Sequence, residues 1–154
     1  MHRRLYDLET VALMIHAKAL TKKFGQFLAV DNIELSIESS GLVGFLGPNG
    51  AGKTTTMRMI TGALPMTSGT VEVAGFDVFD NPLEVKARVG YLPESPPLYP
   101  ELSVGEYLRF VADLRGVPRA QRLRVIGESM ERVGLSGWED RLTGSLSKGY
   151  RQRV

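Results

Sequence analysis

Gly47-Pro48-Asn49-Gly50-Ala51-Gly52-Lys53-Thr54 is the stretch on which the reading of this chain turns. Gly47, Gly52, Lys53 and Thr54 satisfy the pattern G-x-x-x-x-G-K-[ST] at every fixed position. Glycine reaches backbone angles closed to other residues, so successive N–H groups can turn inward and form a nest for an anion. A helix that starts where such a loop ends adds its positive dipole end and its unpaired N–H groups to the same spot. Lys53 supplies a mobile point charge for β- and γ-phosphates, and the Thr54 hydroxyl is the hard oxygen that Mg²⁺ requires. A chance match is the competing reading. With glycine at about 7% of residues, four fixed positions coincide by chance in well under ~1% of chains this size.

The motif also demands a buried strand before it and a helix after it. Residues 41–46 form a short apolar run without alternation, which predicts a strand buried on both faces of a parallel sheet. Residues 54–60 predict a helix ending near Gly62. Upstream, residues 14–20 and 33–37 alternate apolar and polar as half-buried strands do, with a turn over 22–26 between them. Residues 69–75 alternate likewise, Pro82 can open a short helix to about Arg88, and 89–92 are again apolar. Pro93, Pro96, Pro97 and Pro100 then mark an irregular connector.

Beyond Pro100 the pattern becomes helical. Ser103 and Glu106 have the spacing of a capping box, followed by Tyr107, Leu108, Val111, Ala112 and Leu114 at helical intervals. Pro118 opens a second helix with Leu123, Ile126, Met130 and Val133 along one face, and Gly134 is its expected stop.

Composition narrows the class without naming a function. The 154 residues are 43% hydrophobic and 23% charged, which describes a soluble globular protein large enough for a real core. Nineteen basic against 17 acidic residues leave a net charge of +2, no reason to expect nucleic acid as a partner. Without cysteine there are no disulfides or thiolate metal sites, and no apolar run approaches the roughly 20 residues of a membrane span.

Three stretches carry a resemblance. Residues 47–55, GPNGAGKTT, resemble the Walker A motif of ATP-binding cassette (ABC) ATPases. Leu146-Ser147-Lys148-Gly149-Tyr150-Arg151-Gln152-Arg153 resembles the ABC signature, usually LSGGQ followed by a basic-Gln-Arg stretch. Gly90-Tyr91-Leu92-Pro93-Glu94 resembles the Q-loop, and the proline-rich connector with its helical pair resembles the helical subdomain. The resemblance covers about residues 14–154, and the signature discriminates, since other P-loop proteins lack it.

This resemblance implies an α/β fold: a P-loop NTPase core with an antiparallel β subdomain and a helical subdomain. The implied organisation is an N-terminal extension over 1–13, a β subdomain and P-loop core over 14–95, a helical subdomain over 96–146, and the signature helix start over 147–154. ATP and Mg²⁺ are the implied ligands. Gly47, Pro48, Asn49, Gly50, Ala51, Gly52, Lys53, Thr54 and Thr55 would hold the phosphates, with Thr54 on the metal. Phe24 matches the aromatic that stacks on adenine, usually Tyr, although it also reads as a core residue at a turn. Ser147, Lys148 and Gly149 match groups that face the γ-phosphate of ATP held by an opposite subunit. Glu94 stands where the Q-loop usually has Gln; as a carboxylate it can ligate Mg²⁺ or hold a water, and it also reads as a surface acid in a loop. Lys148 and Tyr150 replace the middle Gly and the Gln of the signature, and with Glu94 they look like the ATPase subunits of ABC-2 exporters. Lys53 and Glu94 are the implied catalytic residues.

Implied partners are a second ATP-binding subunit, head to tail, and a separate transmembrane permease, which places the chain in the cytoplasm on the inner face of the membrane. A soluble ABC protein outside transport and a non-enzymatic nucleotide-binding remnant are the alternatives. The family's Walker B strand, D-loop and switch His have no counterpart: Asp77, Asp80, Asp113 and Asp140 follow no run of four apolar residues, and His2 and His16 precede the P-loop. The expectation is therefore the N-terminal part of an ABC ATPase. It would bind ATP, turn it over negligibly, and leave apolar sheet edges unpaired.

Overall fold

The structure is a computed structural model that describes residues 15–38 and 41–154, so the expected 1–13 extension lies outside the described residues. The described residues fall into two compact units that part between Tyr91 and Leu92.

The first unit is built on an antiparallel hairpin. Strands β1 (Ile15–Phe24) and β2 (Phe27–Ile37) are joined by a turn at Gly25 and Gln26, so both run longer than the alternation predicted. Strands β3 (Ser68–Val73) and β4 (Phe76–Asp77) complete a sheet of order β2-β1-β3-β4, with every pairing antiparallel. Strict alternation in β1 would bury residues two apart, yet the buried pair is Ala17 and Leu20. The pairing slips between Ala17 and Leu20, and Ala19 there has φ 51°, so a bulge re-phases the strand and keeps both residues on the core side. Gly69, at φ +90°, passes so close that a Cβ there would lie 2.4 Å from the Ala19 carbonyl oxygen.

Helix α1 (Lys53–Ile60) sets Met59 and Ile60 into a core with Ala17, Leu20, Val30, Val71 and Val73 of the sheet. Helix α2 (Pro82–Arg88) adds Val85, with Pro82 in its first turn as its missing N–H permits.

One expectation is corrected. Residues 41–46 are not a buried strand: Leu42 is 103% and Leu46 93% exposed, and no strand is assigned there. Residues 89–92 likewise form no strand. A strand exists only through hydrogen-bonded neighbours, and the one sheet among the described residues pairs with neither run. The apolar content that suggested burial is present, but among the described residues no partner covers it.

The second unit is helical. Helix α3 (Val104–Leu114) starts at the expected capping box: the Ser103 hydroxyl accepts the Glu106 N–H at 3.2 Å, and the Glu106 carboxylate accepts the Ser103 N–H at 2.8 Å. Helix α4 (Arg119–Arg132) follows Pro118 and stops before Gly134, whose φ of 68° suits a C-terminal glycine. Helix α5 (Lys148–Arg153) follows a single 3₁₀ turn over Thr143–Ser145. Val104, Met130, Leu135 and Leu146 form the buried core, with Leu108, Ile126, Trp138 and Tyr150 packed on it. Of the apolar stripe expected on α4 only the middle is covered: Leu123 is 81% and Val133 39% exposed, because a core of four residues is too small to span the whole helix.

Candidate functional site

The 47–54 loop leads into α1 as the motif requires. Gly52 is the N-cap, left-handed at φ 80°, and Gly50 precedes it at φ 84°. A Cβ on Gly52 would lie 2.5 Å from the Ala29 carbonyl oxygen and 3.0 Å from Val30 Cγ2. Glycine is therefore required twice, by conformation and by the close approach of β2. The first helical bond runs from Thr56 N–H to the Gly52 carbonyl at 2.8 Å, so the amides before Thr56 precede the helical ladder.

Lys53 folds back over the loop. Its ammonium donates to the carbonyls of Gly47 and Pro48, each at 2.6 Å. Gly47, Pro48, Asn49, Gly50 and Ala51 are exposed, Thr54 is exposed and Thr55 half-buried, while Thr56 is buried in the core below them. An ammonium, a hydroxyl and a helix N-terminus thus meet at one accessible rim. That donor set suits a polyphosphate with a hard cation, and the closeness of Gly52 to β2 leaves no side chain to fill the cradle.

Phe24 stands at the end of β1 with its ring 49% exposed and the Lys22 ammonium 5.1 Å from its centroid. It is not a core residue. Its open face suits stacking on a flat ring.

In the second unit Ser147 caps α5, its hydroxyl accepting the Tyr150 N–H at 3.4 Å. Lys148 and Gly149 form the first turn, with open space where a Gly149 Cβ would stand. Glu94 is drawn to this helix: Lys148 Nζ donates to Glu94 Oε1 at 2.9 Å, and Gln152 Nε2 donates to the Glu94 carbonyl at 3.0 Å. The Lys148 hydrogen bond, then its charge, holds the Glu94 carboxyl below the ordinary carboxylate range. The structure thus brings Glu94 to Lys148, and Lys53 to Gly47 and Pro48. Thr54 and Glu94, the two expected metal ligands, lie in different units. No group of three or more His, Cys, Asp or Glu is gathered among the described residues.

Sequence reasoning missed two features. One is the Glu94–Lys148–Gln152 contact, whose only signal was opposite charge at two positions where the resembled motifs are uncharged. The other is a stack of Trp138 on Tyr150, centroids 4.2 Å apart, with the Arg141 guanidinium 4.6 Å from the Trp138 ring centroid and that of Arg153 5.1 Å from the Tyr150 centroid. Nothing in the spacing of those residues announces it.

The family model described as ABC transporter matches residues 30–154, the loop, connector and signature together. The chain belongs to the ABC transporter family. It is 37% identical over 141 residues to an uncharacterized ABC transporter ATP-binding protein, YhaQ, of Bacillus subtilis, covering 92% of this chain and 46% of that one. It is 36% identical over 144 residues to the bacitracin transport ATP-binding protein BcrA of Bacillus licheniformis, covering 94% and 46%. Among solved structures, one described as the ATP binding subunit of an ABC transporter superposes with a TM-score of 0.77 at 26% identity, covering 91% of this chain and 58% of that one. The chain thus spans less than half the length of these curated relatives. Its fold class is that of this family: an incomplete α/β P-loop NTPase domain, here seen as an antiparallel sheet with helices.

Proposed function

We propose that this chain is the ATP-binding part of a transport ATPase, whose work is to couple ATP binding and hydrolysis to a separate membrane permease. The observation that carries the proposal is the 47–54 loop, with Lys53 folded over it at the start of α1. The names of its relatives, which are transport ATP-binding proteins, support the same reading.

Each residue then has a task. Lys53 exchanges its two carbonyl partners for β- and γ-phosphate oxygens, a stronger charge-assisted pairing. The amides of residues 47–55 orient the phosphates, and Phe24 takes the adenine. Mg²⁺, when bound, would offset the negative charge of the phosphates, and the Thr54 hydroxyl would be one of its ligands. Ser147, Lys148 and Gly149 face ATP held by a second, head-to-tail subunit. Glu94 holds the metal or a water and relays closure towards the permease. No described helix is long and apolar enough to cross a membrane; the permease on another chain and the place on the inner membrane face rest on the family resemblance. The finer assignment to ABC-2-like exporters rests on Glu94 and Lys148.

From these 154 residues we expect binding rather than turnover. Hydrolysis needs a carboxylate to polarise the attacking water, and none of Asp77, Asp80, Asp113 and Asp140 follows the run of four apolar residues that carries it in this family. Titration with a fluorescent ATP analogue and Mg²⁺ is the test. Saturable binding that Lys53→Ala removes supports the proposal; equal binding by Lys53→Ala refutes it.

A further inference from the structure

We propose that Lys148 and Gln152 are positioning residues that clamp Glu94 from one face of α5, so that the acid of the Q-loop-like segment moves with the signature-like helix. Lys148 and Gln152 are four residues apart on α5 and therefore neighbours on its surface. One takes the Glu94 side chain at 2.9 Å and the other its main-chain carbonyl at 3.0 Å. A single exposed ion pair constrains little by itself. Two attachments to one residue, one through the carboxylate and one through the backbone, set its orientation as well as its distance.

Both ends of the clamp are stiff. Pro93, Pro96 and Pro97 fix φ around Glu94 and narrow the conformations that the segment can take. Helix α5 is anchored by the Trp138–Tyr150 stack and by Leu146 in the buried core. The chemistry of the pair differs from the usual motifs. Glu94 and Lys148 are the two charged departures from the motifs that residues 90–94 and 146–150 resemble, and in space they meet. A glycine at position 148 would offer no donor, and a glutamine at position 94 no charge. The two departures therefore act as one unit. The purpose of the clamp rests on the nucleotide-binding reading above, whereas its geometry can be measured without nucleotide.

Zero-length carbodiimide cross-linking of the nucleotide-free chain tests the geometry, because it condenses only a carboxylate and an amine already in contact. The expected product is an amide between Glu94 and Lys148, identified by mass spectrometry. Gln152→Ala should lower its yield by about two- to tenfold, the range for losing one hydrogen bond. Absence of the 94–148 product, or an undiminished yield in Gln152→Ala, overturns the proposal. The functional arm compares ATP affinity with and without Mg²⁺ in Glu94→Gln, Lys148→Met and the double variant. A clamp requires the double variant to alter the Mg²⁺ effect no more than either single one; additive effects refute it. If wild type binds no ATP, the function proposed above fails, and the cross-link alone decides the clamp.

Discussion

Replacing Gly52 by alanine should damage the phosphate loop in two separable ways. The residue sits at φ 80°, where an L side chain costs roughly 1–2 kcal/mol. Its new Cβ would also lie 2.5 Å from the Ala29 carbonyl oxygen, backbone that can yield only if β2 and α1 move apart. Forced overpacking of that kind costs about 1–3 kcal/mol. Together the two effects predict a loss of roughly 2–5 kcal/mol in the first unit. Gly50→Ala separates them: φ is 84°, but nothing lies within 4 Å of its Cβ, so only the conformational cost of about 1–2 kcal/mol applies. Native-state hydrogen exchange of α1 amides reads the difference locally. Protection should fall much further in Gly52→Ala than in Gly50→Ala, with α3 amides in the other unit unchanged. ATP binding should fail in Gly52→Ala even where the chain remains folded, since the loop amides no longer converge. Equal protection in the two variants would refute the close approach of Gly52 to β2.

Met59 is fully buried in the first core, so Met59→Ala should cost about 2–5 kcal/mol in urea unfolding; a loss below about 1 kcal/mol would place it outside the core. Ser103→Ala removes the α3 cap and should cost about 1 kcal/mol, read from Trp138, the sole tryptophan and a reporter of the second unit. The Ser103 N–H, then its hydroxyl, holds the Glu106 carboxyl below its ordinary value. A group depressed on folding adds stability above its unfolded pKa and loses it as pH falls through the folded one. The second unit should therefore weaken on acidification below the ordinary carboxylate range, and Glu106→Gln should flatten that slope in pH-dependent urea melts. Tyr150→Leu keeps apolar bulk but breaks the stack on Trp138, so it should cost about 0.5–1.5 kcal/mol and shift tryptophan emission. Unchanged emission would show that the stack is not populated.

The sequence was readable wherever structure is decided by residues near in the chain. The glycines and Lys53 of the phosphate loop, the cap at Ser103, Pro82 at a helix start and Gly134 at a helix end each act through hydrogen bonds or backbone angles within a few residues. Alternation in β3 and over residues 33–37 of β2 was readable for the same reason, since each strand presents its own two faces, whereas in β1 only the strand and not its buried face was readable. The exposure of Phe24 was not readable, because a ring beside a turn can point either way.

What the sequence by itself determined, then, is the phosphate-binding loop, the helix that follows it and the kinship those motifs imply. Tertiary structure alone decided the rest. It showed that residues 41–46, apolar enough for a buried strand, stay exposed, because a strand depends on neighbours that local composition does not encode. It placed the bulge at Ala19 against Gly69, fifty residues along the chain. It joined Glu94 to Lys148 and Gln152, 54 and 58 residues away, turning two odd letters in separate motifs into one contact. Distance along the chain says nothing of such pairings; only folding supplies the proximity that lets opposite charges meet.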